Sequence, residues 1–386
     1  MVKLNGMDRR RFLRNTVAGG AGVVLAGTPT WEAASQMVNG AVTYPVDGVG
    51  LEDPMLVQLS INENPLGAST RAIEAVAKRM FGMNRYTFHN ELEEAIAVHH
   101  GLKPEYVFVG VGSSEILLTA SLAAYWNKSG NTVTAFPSYR SIPRTTRDLG
   151  QMVKEVPLTG HWGLDLPAMA VAVDGQTRIV SICNPNNPTG QILDPVELER
   201  TIRKMPKDVI VCVDEAYIQF VDDPNYPSMI PLTKELDNLL VARTFSKAYG
   251  LGGMRVGYGV AHPSLLERMQ RFSIGVLNKN TLATAAAMAA LQDQEHVQRS
   301  VELTREGKAY LYKELEAMGY NPIRTQTIFV TVEVGPNVET LIEQLWAKKV
   351  RVRQAFDMDG FMRISVGLPQ ENEAFISAFK QQRSAL

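Results

Sequence analysis

Arg178-Ile179-Val180-Ser181-Ile182-Cys183-Asn184-Pro185-Asn186-Asn187-Pro188-Thr189-Gly190 is a short apolar run that breaks abruptly into a loop of turn-forming pairs. Residues 178–182 read as a buried strand, and the two Asn-Pro steps and Thr-Gly end it. The same phrase recurs on both sides. Residues 106–111 are strand-like and 113–126 form an Ala/Leu-rich helical stretch; residues 131–136 are again strand-like and are closed by Pro137. Residues 209–213 lead into Asp214-Glu215-Ala216-Tyr217, and residues 239–243 into Thr244-Phe245-Ser246-Lys247. Strands alternating with helices predict βαβ units and an α/β fold on a mainly parallel sheet. Ligands of such sheets sit outside the carboxyl ends of the strands, where every one of these polar clusters falls.

The tail follows another pattern. Residues 293–317 predict a charged amphipathic helix, 327–333 a strand, 338–348 a helix, and 350–353 and 361–366 two more strands. The expected organisation is a large domain over residues 76–290 and a smaller α+β domain over 291–386. Residues 35–75 form an N-terminal arm that contributes to the small domain. A chain of 386 residues has room for this division.

Residues 1–34 read as a leader. The basic run Arg9-Arg10-Arg11 precedes Phe12-Leu13, then a Gly/Ala/Val-rich apolar stretch, then Ala33-Ala34-Ser35. That order resembles a bacterial twin-arginine signal peptide, implying periplasmic or exported protein, or a cytoplasmic one where the leader is not used. The apolar run is too short to span a bilayer, so no stable membrane insertion is expected once the signal is removed. A formal net charge of -1 gives no basic field for nucleic acid. The two cysteines, Cys183 and Cys212, lie in strand-like apolar runs and are expected as buried free thiols. No metal-ligand spacing is present.

The densest chemistry is Thr244-Phe245-Ser246-Lys247-Ala248-Tyr249-Gly250-Leu251-Gly252-Gly253-Met254-Arg255-Val256-Gly257. A lysine just past a buried strand is costly unless paired, exposed or covalently used, and desolvation lowers its pKa into a nucleophilic range. The glycines admit a ligand close to the backbone, and Arg255 offers a forked donor to a phosphate.

This segment resembles the lysine motif of class I and II aminotransferases, histidinol-phosphate aminotransferases in particular. Further blocks follow that family's order: residues 59–67 around Ile61-Asn62-Glu63-Asn64-Pro65, residues 183–190, residues 214–217, and Phe361-Met362-Arg363-Ile364-Ser365-Val366-Gly367. The resemblance spans about residues 55–370. It implies the aspartate aminotransferase-like fold (fold type I of pyridoxal-phosphate enzymes), with residues 76–290 as the cofactor-binding domain.

It also implies roles. Lys247 would hold pyridoxal 5'-phosphate covalently and serve as acid and base. Asp214 would keep the pyridine nitrogen protonated, and Asn187 and Tyr217 would bond the ring's phenolic oxygen. Gly112, Ser113 and Ser114 at a helix start, with Thr244, Ser246 and Arg255, would take the phosphate. Tyr139 would stack on the ring, and Tyr86 would reach the phosphate of the neighbouring subunit in a homodimer. Arg363, Arg353 and Asn62 would meet the substrate. The expected reaction moves an amino group between an amino acid, or an amino-alcohol phosphate, and a 2-oxo acid by a ping-pong mechanism. The alternative is a decarboxylase or lyase on the same scaffold, similar to threonine-phosphate decarboxylases. A non-catalytic cofactor sensor fits less well, because Lys247 and Asp214 are both present.

Overall fold

Apolar runs with no polar face can only be strands covered on both sides, and the three central ones are. β5 (Thr177–Cys183), β6 (Ile210–Asp214) and β7 (Leu239–Thr244) are buried nearly throughout in the computed structural model, which describes residues 56–383. They lie side by side in a seven-stranded sheet with β2 (Val107–Gly110), β3 (Asn131–Phe136), β4 (Met152–Pro157) and β8 (Gly257–Ala261). The order is β2-β8-β7-β6-β5-β3-β4. Only β8 runs against the rest, pairing antiparallel with β7 and β2. The sheet is therefore mainly parallel, as the alternation predicts. Two strands went unread: β4, whose middle is the charged pair Lys154-Glu155, and β8, which hides behind the glycines that precede it.

The helices that cover the sheet start where the sequence supplies caps. Asp165 accepts from the Ala168 N–H ahead of Leu166–Ala172, and Asp194 from the Glu197 N–H ahead of Pro195–Lys204. The helix α1 (Gly112–Tyr125) follows β2 after a single residue, so its N-terminus opens at the carboxyl edge of the sheet.

A second apolar cluster belongs to the tail. Leu311 and Leu315 of α2 (Gln294–Ala317) pack with Val330 and Val332 of β9 (Phe329–Glu333), and with Phe375 and Phe379 of the last helix. Leu59 is buried in the same cluster, so the Asn62 block is anchored to the tail's core. The predicted strand over residues 350–353 is corrected to two short ones with different partners. β10 (Val350–Arg351) pairs parallel with β1 (Val57–Gln58), while β11 (Arg353–Gln354) pairs antiparallel with β12 (Phe361–Ser365). Val352 turns inward between them and is buried. β12 also pairs with β9, so β11-β12-β9 form a small antiparallel sheet.

Cys183 and Cys212 are buried free thiols. Among the described residues no helix is long and apolar enough to cross a membrane, and no cluster of three metal-ligating side chains occurs. The leader and most of the arm before residue 56 lie outside the described residues.

Candidate active site

Asp214 is the last residue of β6 and Thr244 the last of β7, and these strands are neighbours in parallel register. The chain then rises over the sheet edge into Ser246 and Lys247. Gly250 turns it back with φ +68°, where a β-carbon would come 1.9 Å from the Gly67 carbonyl. The result is a cavity of about 430 Å³ at the carboxyl ends of the strands. Of the residues expected in the site, all but Gly112 and Tyr86 line it.

The Lys247 amine donates to the carbonyls of Asn62 (2.9 Å) and Ile61 (3.1 Å). Burial lowers its pKa to about 8, and the Arg363 guanidinium adds to the effect. Asp214 is buried, and burial pushes its carboxyl up to about 6, against a 3.1 Å bond from the Ala216 N–H that works the other way. The adjacent Glu215 also raises it. Glu215 is itself matched by Arg243 at 2.8 Å in a buried ion pair, and further accepts from Ser228 Oγ and Met229 N. Asp214 is left as the carboxylate with free lone pairs facing the cavity.

Asn187 Oδ1 accepts from Arg363 Nη1 at 2.7 Å, which commits the amide oxygen and leaves its NH2 as donor. The Tyr217 hydroxyl accepts from Asn62 Nδ2 at 2.9 Å, so its own proton is free to be donated. Burial pushes the Tyr217 phenol well above its ordinary range, and Tyr139 up to about 12, so both stay protonated. Two neutral donors, the Asn187 amide and the Tyr217 hydroxyl, lining one cavity suit an anionic oxygen. Arg363 also donates to the Ser60 carbonyl at 2.8 Å, and its Nε is buried without a partner.

At the other end stand Ser113 and Ser114, with Thr244, Ser246 and Arg255. Arg255 adopts the left-handed conformation (φ 54°), uncommon for a long side chain, and is tied by Nη1 to the Gly252 carbonyl at 2.9 Å. Its Nη2 would lie 2.5 Å from a β-carbon at position 112, and Gly112 has φ +70°, so only glycine fits there. Helix N–H groups, hydroxyls and a guanidinium in one cup are donors for a phosphate.

The residues thus fit pyridoxal phosphate at four points: amine, acid, paired neutral donors and phosphate cup. Asn62, expected at the substrate, spends its side chain on Tyr217 and Ser365, and its carbonyl on Lys247. It positions those groups. Ser365 escaped the reading, although it shares the inward face of β12 with Arg363, two residues away. Phe356 and Glu63 also line the cavity unforeseen, as does Cys183, whose thiol burial holds protonated. Arg353 is exposed at the cavity's rim. Tyr86 is exposed and makes a tilted contact with Phe88, with ring centroids 6.0 Å apart.

Residues 54–379 match the model of the family "Aminotransferase class I and II". The chain is 37% identical to the histidinol-phosphate aminotransferase of Moorella thermoacetica over 338 residues, 86% of each chain. It is 36% identical to histidinol-phosphate aminotransferase 1 of Cupriavidus pinatubonensis over 364 residues, 92% of this chain and 93% of the relative. The crystal structure of histidinol-phosphate aminotransferase from Sinorhizobium meliloti in complex with pyridoxal-5'-phosphate superposes with a TM-score of 0.78 at 24% identity, covering 85% of this chain and 91% of that one. The fold is also that of L-threonine-O-3-phosphate decarboxylase from Porphyromonas gingivalis, with a TM-score of 0.73 at 20% identity over 84% and 99% of the two chains.

The raised Asp214 pKa has a consequence for stability. A buried carboxyl that resists ionisation contributes stability below about pH 4, and that contribution is lost as pH rises through about 6. In cofactor-free protein Asp214→Asn is therefore expected to stabilise the fold near neutral pH, by on the order of 3 kcal/mol, with the difference vanishing in acid. Thermal melts at a series of pH values measure it. A variant less stable than wild type throughout would show that the carboxylate is not strained by its burial.

Proposed function

The chain belongs to the class I and II aminotransferase family and works with pyridoxal phosphate, and from that premise we propose how its residues divide the transfer of an amino group. When bound, the cofactor supplies an aldehyde that accepts the amino group and a protonated ring that withdraws electrons from the substrate's α-carbon. Asp214 would hold the proton on the ring nitrogen, and Tyr217 and Asn187 would donate to the ring oxygen. Ser113, Ser114, Thr244, Ser246 and Arg255 would hold the phosphate, in the same cavity as Lys247. The Lys247 amine, with its pKa near 8, would take the proton from the α-carbon of the amino donor in the first half of the transfer and deliver one to the α-carbon of the 2-oxo acid acceptor in the second. One product leaves before the second substrate enters, which gives ping-pong kinetics. The observation that carries this reading is the shared cavity: the lowered amine and the raised carboxyl face the same space as the phosphate cup.

Substrate recognition falls to two arginines that stand opposite each other in the β11–β12 ladder, Arg353 and Arg363. Arg363 is buried and takes the carboxylate of the amino acid or 2-oxo acid. Arg353, at the rim, adds a second cation for a distal anion such as the phosphate of an amino alcohol. We read the working unit as a homodimer in which Tyr86 reaches the cofactor phosphate of the neighbouring subunit. Met80, Phe81, Met83 and Phe88 are exposed around it, an apolar stretch that a second copy would cover. We read the enzyme as exported through its Arg9-Arg10 leader.

Lys247→Ala should lower turnover by about a thousandfold or more. In wild type, the rate at which cofactor-free protein captures pyridoxal phosphate should rise with pH around a midpoint near 8; a midpoint above 10 would refute the lowered amine. For the dimer, mixing Tyr86→Phe with Lys247→Ala under conditions of subunit exchange should restore activity above either variant alone, since each hybrid keeps one intact site. Unchanged activity would remove Tyr86 from the neighbour's site. Replacing Arg9 and Arg10 together by lysine should hold the protein in the cytoplasm of fractionated cells, and undisturbed export would exclude the twin-arginine route.

A further inference from the structure

A carboxylate in the first turn of a helix competes with a bound anion for the same positive end. The helix α1 carries one all the same. Glu115 directly follows Ser113 and Ser114, which line the active-site cavity at the phosphate cup. Glu115 does not line that cavity, and the structure gives it other partners. Its Oε2 accepts from the Val111 N–H at 2.7 Å and from Asn278 Nδ2 at 3.3 Å, and its Oε1 accepts from Ser273 Oγ at 2.8 Å.

The first of these bonds replaces a cap that the sequence withholds. Val111 immediately precedes the helix, and valine has no side-chain oxygen to offer the N–H groups of the first turn. The usual reciprocal cap is therefore half made: Glu115 reaches back to the N–H of the capping residue, while the first-turn N–H groups receive nothing from it. Those donors are left for a phosphate. Glu115 thus fixes the turn from β2 into α1 without occupying what the turn presents.

The other two bonds act on Arg255. Ser273 and Asn278 come from 158 and 163 residues further along the chain. Together with Glu115 and Arg255 they border a small void next to the cup, and Arg255 faces both that void and the active-site cavity. One carboxylate therefore holds the start of the helix and the segment that flanks the arginine, the two halves of the cup.

We propose that Glu115 is a positioning residue for the cofactor phosphate, fixing the start of α1 and the 273–278 segment so that both halves of the cup are in place before the phosphate arrives. This rests on the reading of Ser113, Ser114 and Arg255 as the phosphate cup. Charge alone and position give opposite signs. A carboxylate that acted only as a nearby negative charge would repel phosphate, and its removal would tighten binding. A carboxylate that positions the donors is needed for binding, and only for ligands that carry the phosphate.

The test titrates the full-length cofactor-free protein with pyridoxal 5'-phosphate and with pyridoxal, which keeps the aldehyde for Lys247 but lacks the phosphate. The bound form is read by its absorbance. Glu115→Ala should weaken pyridoxal 5'-phosphate by roughly tenfold or more and leave pyridoxal within about twofold of wild type. Glu115→Gln keeps one acceptor oxygen for the Val111 N–H, should lose less than Glu115→Ala, and serves as the test if the alanine variant does not fold. Ser273→Ala should lower the preference for the phosphorylated ligand by a smaller factor in the same direction. Equal losses for both ligands would make Glu115 a general structural residue, and tighter pyridoxal 5'-phosphate would make it a repelling charge; either result overturns the proposal. Arg255→Gln separates the two readings. If it leaves the preference unchanged, the cup assignment fails; if it lowers the preference while both Glu115 variants leave it unchanged, the positioning role alone fails.

Discussion

Desolvation acts on a carboxyl and an amine in one cavity, and it works against the charge on both. Asp214 is pushed up to about 6 and Lys247 down to about 8, each toward its neutral form, and burial is the largest cause in both cases. The two groups attract each other, but too weakly to cancel the cost. The protein therefore carries a site that is electrostatically unsatisfied by its own side chains. Pyridoxal phosphate would meet both needs, with Asp214 placed to hold its ring nitrogen and Lys247 its aldehyde. Binding strength and reactivity have the same origin here.

The sheet makes this possible by allocating charge. Asp214 and Glu215 are consecutive, and two adjacent buried carboxylates could not both ionise unaided. β7 lies beside β6, and it brings Arg243 to Glu215 at 2.8 Å. Glu215 is thereby neutralised in place and pinned by two further donors, so the carboxylate that remains available is the one facing the cavity. The same economy appears at Asn187 and Tyr217. Each has its acceptor occupied by Arg363 or Asn62, and each is left with a proton to give.

The site was more legible in the sequence than its supports. Lys247, Asp214 and Asn187 sit where turn residues follow apolar runs, and local pattern suffices to place them at strand ends, whereas Arg363 lies mid-strand in β12 and stood out only through its family block. Glu215 and Arg243 are separated by 28 residues, and nothing local says that their strands are neighbours. Arg140 and Asp357 pair across 217 residues, and neither points to the other in the sequence. β8 was missed because its glycines serve close packing: a β-carbon at Gly257 would meet the Ser113 nitrogen at 2.4 Å. Composition marks that segment as loop while geometry requires a strand. The split of residues 350–353 is of the same kind, since alternation continues through Val352 while the partner strand changes.

The likeness of this fold to a phosphothreonine decarboxylase means that the scaffold by itself does not choose which bond at the α-carbon is broken. On the proposed assignment of Arg363, the choice turns on how the carboxylate is held. Arg363 is buried, and two of its nitrogens are fixed by Asn187 and the Ser60 carbonyl, so its position is rigid before any ligand arrives. A carboxylate bound to such an anchor is stabilised as a carboxylate, and losing it as carbon dioxide would forfeit that stabilisation in the transition state. Breaking the C–H bond keeps the anchor's contribution intact throughout. On the proposed reading of Arg363 as the carboxylate anchor, the rigidity of this one arginine in a small antiparallel sheet favours proton transfer over decarboxylation.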